Sequence, residues 1–260
     1  MIARIIFQPV EETSRVYFSK MLAGDPFASR APNDEGFSPA DKNMVLEESK
    51  ATLSNVLILY THLSLLFLVF GPPCLPTLLS FILPSRYLYT SAPRVLIAYC
   101  WYLPVMAFNG VLEAFFSATA SSSDLAAQSR VLVVFSALFI ISSIVFSEVL
   151  GARETGLVYA NALSLAARAW YAWVFIKRYY ERLGERHRRI TIWRQSGGFK
   201  RVMPKAEVFF CSVAVSIMMR VSSSQFGDPF GALTHRIIHL TTAVLGASVW
   251  FITWCVRFKI

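Results

Sequence analysis

Apolar stretches about twenty residues long recur along this chain, separated by shorter polar ones. A bilayer hydrocarbon core about 30 Å thick takes about 20 apolar helical residues to cross. Residues 51–70 meet that length without a formal charge. The stretch 95–120 holds one acid, Glu113, and one helix-kinking residue, Pro104. Residues 131–150 carry only Glu148, and 155–176 carry one internal arginine, Arg168. Glu207 and Arg220 lie near opposite ends of 206–224, the weakest candidate, and 237–256 is again uncharged. Six membrane-spanning helices are therefore expected.

Residues 1–21 follow a different rhythm. Phe7, Val10, Ser14, Tyr17, Phe18 and Met21 recur at helical spacing, while Arg4, Gln8, Glu11, Glu12 and Arg15 share the other side. That is an amphipathic helix, suited to a membrane surface or to the wall of a watery cavity. The fold class is all-α: a polytopic membrane helical bundle of six full spans plus the end of a seventh. The domain reading is an amphipathic, cavity-lining segment (1–21), a cytosolic linker (22–50), a four-span bundle (51–180), a basic cytosolic loop (181–205) and two C-terminal spans within 206–260. The run 24–41 is rich in Pro, Gly, Ser and Asp, as exposed linkers are. The apolar segment 71–84 contains four prolines and reads as an interfacial or re-entrant piece rather than a crossing.

Composition sharpens this picture. Apolar residues make up 55% of the chain and charged ones 16%, against about a quarter charged in an average soluble domain. A net charge of +9 would suit nucleic acid, but the basic residues concentrate in one loop between apolar segments, which points to a membrane surface and to no nucleic-acid partner. Placed alternately on two sides, the segments 20–50, 121–130, 177–205 and 257–260 collect 17 Lys and Arg, and the others collect 4. The positive-inside rule puts the first group, with the C-terminus, in the cytosol. The loop 181–205 is expected to rest on anionic headgroups with Ile190, Ile192 and Trp193 dipping in; an ordinary positive-inside loop is the plainer alternative. The N-terminus lacks the continuous apolar run of a signal peptide.

Catalytic signatures are missing from the sequence. There is no HExxH pair, phosphate-cradling glycine loop or GxSxG elbow, so neither an enzyme, a metal nor a cofactor is expected. The four cysteines lie far apart without zinc-site or redox-dithiol spacing and are expected to pack as small hydrophobes. His235 and His239, four apart, are either a metal pair or a cap and a packing residue, and no third ligand accompanies them.

Polarity inside the apolar stretches is the stronger signal, because ionisable groups in a bilayer are costly and usually face a cavity or each other. Three places show it. Gln8, Glu11, Glu12 and Arg15 lie on one face, where a Glu11–Arg15 pair would be self-neutralising. Asn109 and Glu113 are four apart, just past Pro104. Arg168 follows Asn161 by seven residues; it either snorkels to the interface or pairs with Glu113.

Three blocks carry a family resemblance. They are ARIIFQPVEETSRVYFSKML from Ala3; AYCWYLPVMAFNGVLEAFFSATAS at 98–121, with its Asn-Gly-Val-x-Glu run; and TGLVYANALSLAARAWY from Thr155, followed by Arg178-Tyr179-Tyr180. In this order and spacing they resemble the Rft family, endoplasmic-reticulum proteins linked to translocation of dolichol-linked oligosaccharide and related to multidrug and polysaccharide flippases. The resemblance covers nearly the whole chain, more weakly in 24–41 and after Ser222. It implies the second lobe of a flippase-type fold, starting within an eighth span and lacking the first lobe. It also implies Man5GlcNAc2 on dolichyl diphosphate as the lipid moved from the cytosolic to the lumenal leaflet for N-glycosylation. On that reading Arg4, Gln8, Glu11, Glu12 and Arg15 line a cavity, Asn109 and Glu113 stabilise or gate it, and Asn161 and Arg168 complete it, Arg168 offering charge to the diphosphate. The alternatives are a cation-coupled exporter using Glu113 or Glu11, and a membrane scaffold subunit without transport of its own.

Overall fold

The computed structural model describes residues 2–22, 39–186 and 202–258. Among the described residues the ordered elements are all helical: α1 (Ile2–Leu22), α2 (Pro39–Ile82), α3 (Ser85–Leu88), α4 (Ala92–Thr119), α5 (Ser122–Ile144), α6 (Glu154–Arg186), α7 (Ala206–Phe226) and α8 (Leu233–Phe258). A π-helical turn, Val145–Val149, closes α5.

Five of these helices are long and apolar enough to cross a membrane: Met44–Ile82, Ala92–Thr119, Ser122–Val149, Ala206–Phe226 and Leu233–Val256. The sixth expected span, within α6, does not reach that apolarity. Asn161, Arg168 and a run of Trp and Tyr dilute its aliphatic residues.

The amphipathic reading of α1 holds. Phe7, Ser14 and Phe18 are buried, Val10, Tyr17 and Met21 are half-buried, and Gln8, Glu12 and Arg15 are exposed. The side chain of Arg4 lies outside the described residues. So do most of the run 24–41 and Ile190, Ile192 and Trp193 of the basic loop.

Four expected boundaries are corrected. The segment 71–84 is not a separate piece, because α2 continues through Pro72, Pro73 and Pro76 to Ile82. The missing N–H groups of Pro72, Pro73 and Pro76 leave the carbonyls of Leu68, Val69 and Pro72 without their usual donors, and packing against neighbouring helices keeps such a stretch helical. Here His239 of α8 donates from Nε2 to the Pro73 carbonyl at 3.0 Å, joined by Ser223 Oγ at 3.5 Å. Residues 39–50, expected as linker, begin the same helix. Ser49 Oγ bonds the Leu46 carbonyl and lies 3.2 Å from Tyr180 Oη of α6, and Thr52 Oγ1 lies 3.1 Å from Tyr17 Oη of α1. The 121–130 loop is helical as well. Ser121 and Asp124 form a reciprocal capping box that starts α5 immediately after α4. In the basic loop, residues 181–186 belong to α6.

Two clusters make the core. The larger joins α1, α4, α6 and the first half of α2 through Phe18, Leu53, Val111, Phe115, Phe116, Ile176 and Tyr180. Its aromatic rings interlock edge to face, Phe18 on Phe115 at 4.9 Å and Phe116 on Phe175 at 4.4 Å. The smaller, Val69, Cys74, Val215 and Met219, joins the second half of α2 to α7, with Ala243 of α8 against it. Thus α2 runs through both. At the α5–α6 corner Gly151 takes a positive φ of 65°. Gly156 brings α6 so close that a Cβ there would meet Ser147 backbone nitrogen at 2.7 Å.

Candidate functional site

The kink residue Pro104 precedes a polar face on α4. Asn109 and Glu113, one turn apart, project together, and Asn109 Nδ2 donates to Glu113 Oε2 at 3.0 Å. Across the α4–α6 contact Arg168 Nη2 donates to Glu113 Oε1 at 2.6 Å and to Oε2 at 2.9 Å. One guanidinium nitrogen therefore binds both carboxylate oxygens, a charge-assisted contact stronger than a neutral hydrogen bond. The pair is only partly enclosed, with Arg168 33% and Glu113 28% exposed. Of the two sequence readings of Arg168, pairing with Glu113 is the one the structure adopts.

A second rung joins the same helices, where Asn161 Nδ2 donates to Tyr102 Oη at 3.1 Å. The rungs Tyr102–Asn161 and Glu113–Arg168 occur in the same order on both chains. So α4 and α6 run parallel, as helices separated by one antiparallel neighbour must.

Glu11 approaches from α1. A Cβ added at Gly110 would lie 3.0 Å from Glu11 Oε2, so the glycine is what lets this carboxylate lie against α4. Glu11 interacts electrostatically with Glu113 and Glu12, which repel it, and with Arg15 and Arg168, which attract it. The expected Glu11–Arg15 pair is replaced by Arg15 Nη2 on Glu12 Oε2 at 2.7 Å, both side chains about half exposed. That exchange leaves Glu11 facing α4. Counting Glu11, Glu12 and Glu113 against Arg15 and Arg168, these five groups carry one net negative charge.

Asn109 Oδ1 is buried and has no hydrogen-bond partner among the described residues. Gln8 lies exposed one turn from Glu12 and has no part in this network. The face thus offers a paired cation, a second carboxylate and an unused acceptor. Such a set can exchange internal hydrogen bonds for those of a polar or anionic ligand. Sequence reasoning missed Tyr102 and Gly110. Tyr102 was within reach, since it precedes Asn109 by seven residues on the same helical face; a glycine that seats a distant carboxylate leaves no local signal.

The histidines are accounted for otherwise. His239 is fully buried, its Nε2 on the Pro73 carbonyl and its Nδ1 2.8 Å from Ser222 Oγ. A carbonyl only accepts, so Nε2 carries a proton. Both ring nitrogens are committed, which removes the metal-pair reading with His235; His235 packs edge-on to Phe226. No group of three or more His, Cys, Asp or Glu among the described residues is arranged to hold a metal.

The Rft protein family profile matches residues 1–258. The Man(5)GlcNAc(2)-PP-dolichol translocation protein of Saccharomyces cerevisiae is 30% identical over 183 residues, covering 70% of this chain and 29% of the relative. Its counterpart in Candida albicans is 32% identical over 185 residues, 70% of this chain and 32% of the relative. That of Drosophila melanogaster is 25% identical over 185 residues, 70% and 31%. The chain thus spans about a third of the length of these relatives. No solved structure matches it. With the family profile extending over nearly all its residues, the chain belongs to the Rft protein family.

Proposed function

We propose that this protein takes part in moving Man5GlcNAc2-PP-dolichol from the cytosolic to the lumenal leaflet of the endoplasmic-reticulum membrane, for protein N-glycosylation. The relatives' names supply the substrate. The observation that carries the assignment to a site is the partly exposed Glu113–Arg168 pair. In the resting state Glu113 neutralises Arg168, which lowers the cost of an arginine among apolar helices and makes α6 a credible sixth crossing. A lipid diphosphate competes with Glu113 for the guanidinium, and Asn109 Oδ1 accepts from a sugar hydroxyl. Glu11 and Glu12 repel the diphosphate and so favour its release. The isoprenoid stays in lipid while the headgroup moves along this face, in the manner of alternating access. The 17-to-4 asymmetry of basic residues supports a cytosolic C-terminus.

The test is a chimera in which this chain replaces the matching segment of the S. cerevisiae relative, expressed in cells depleted of that protein. Restored glycosylation of a reporter glycoprotein is expected, with Glu113→Lys abolishing it at unchanged chimera abundance. Hypoglycosylation with a chimera that is abundant and correctly located overturns the assignment; normal glycosylation with Glu113→Lys removes the site.

The closeness of Glu11 to Glu113 favours a second reading, a cation-coupled exporter of small amphipathic molecules in which one carboxylate carries the proton. Efflux from vesicles that follows an imposed proton gradient and is lost in Glu11→Gln would support it; gradient-independent behaviour would dismiss it.

A further inference from the structure

A cleft of about 770 Å³ opens between the first half of α5 and the second half of α6, and Arg168 does not line it. Its volume is that of a small-molecule site. The walls are mostly apolar, including Val131 and Phe135 of α5 and Trp170 of α6. Both helices are exposed to the surroundings here, Trp170 by 69%, so the trough is reachable sideways from a lipid phase.

One end of the cleft is cationic. Arg178 and Arg182, four apart on α6, both line it. Among the described residues neither guanidinium makes a hydrogen bond or an ion pair. Asp124 sits at the same end, because α5 begins where α6 approaches its end. Its carboxylate is engaged in the capping box, accepting from Ser121 nitrogen at 3.1 Å and Ser121 Oγ at 2.6 Å. The rim is therefore net positive, with two planar donors suited to phosphate.

We propose that this cleft binds an anionic phospholipid, one hydrocarbon chain lying in the α5–α6 trough and its phosphate held by Arg178 and Arg182. Charge complementarity selects the lipid class. A zwitterionic headgroup would bring its own cation beside two arginines, whereas an anionic headgroup brings none. Neither Glu113 nor Arg168 lines the site, and it makes a resident lipid part of the packing between α5 and α6.

The test uses the full chain in phosphatidylcholine nanodiscs containing a minor fraction of phosphatidylinositol with brominated acyl chains. Retained lipid is read by native mass spectrometry and chain contact by tryptophan quenching. Phosphatidylinositol is expected to be retained over phosphatidylcholine, with a quench that falls in Trp170→Phe. Arg178→Gln with Arg182→Gln should lower the preference by about fivefold per arginine, while Arg178→Lys with Arg182→Lys keeps most of it. Ala167→Trp, which fills the trough, should weaken retention with both charges intact. Equal retention of the two lipids by the unaltered chain overturns the proposal, as does a preference that survives the double glutamine variant. Competition by water-soluble glycerophosphoinositol as strong as by the intact lipid also overturns it, because the trough would then be idle. Should the double variant not fold, quenching of the unaltered chain decides alone: a quench indifferent to Trp170→Phe sinks the idea.

Discussion

The α4–α6 face and the α2–α8 crossing both place polar groups among apolar helices, and they satisfy them by opposite means. On α4–α6, charge answers charge: Glu113 holds Arg168 while about a third of each side chain stays in contact with the surroundings. At α2–α8 a fully buried imidazole ties the carbonyl of a helix proline to a serine on a third helix. The first arrangement can open without leaving a void, because a ligand can take the place of either partner. The second cannot, since every polar atom in it is part of the packing. Partial exposure is thus what separates a polar group available for function from one spent on holding helices together.

Substitutions at the two places should separate them. His239→Ala should cost the most, about 3 kcal/mol, by leaving a cavity and removing the ties to Pro73 and Ser222. Unfolding in mixed micelles would measure it, and His239→Gln, whose amide can still donate to Pro73, should recover part. A His239→Ala protein as stable as the parent would remove the distinction. Glu113→Leu should cost about 2 kcal/mol, because Arg168 loses a charged partner. Adding Arg168→Leu should return most of that, so a double-mutant cycle with a large coupling term is expected; additive losses would mean the two side chains act separately.

Between the two regions lies the α2–α4 contact at Gly71, where a Cβ would come within 2.7 Å of Cys100 Sγ and 3.2 Å of its Cβ. Gly71→Ala should destabilise by about 1–2 kcal/mol, and Cys100→Ala should relieve it. If the pair of changes is no better than Gly71→Ala alone, the approach of α2 to α4 is looser than drawn. Asn161→Ala, which removes an exposed interhelical hydrogen bond, should cost about 0.6 kcal/mol. A loss well above that would show the Tyr102 rung to be more enclosed than its exposure indicates.

Helix positions from 95 onward were largely legible, because apolar length alone marks a helix that must bury or immerse its backbone. The Glu113–Arg168 pair was legible for a related reason: lone ionisable groups in apolar stretches have few possible partners. What escaped the sequence was non-local. The four prolines of 71–84 argue for a break when read alone, yet α2 runs on through three of them, and His239, 166 residues beyond Pro73, anchors that stretch through the Pro73 carbonyl. Glu11 looked paired with Arg15 on its own helix until Gly110 of another helix gave it somewhere else to lie. The lower apolarity of α6 has the same origin, since its arginine is made tolerable by a residue on α4.

The 44 residues of α2 have a mechanical consequence. At 1.5 Å per residue such a helix is about 66 Å long, while a bilayer with its headgroups measures about 40–45 Å. Roughly 20 Å of it must project into water or lie folded along the surface. Buried residues grip α2 from Leu46 to Leu79, so whatever part lies beyond the bilayer moves rigidly with the bundle. A tilt of about ten degrees carries its tip about 3–4 Å, enough to report a rocking of the bundle to whatever touches α2 outside the membrane.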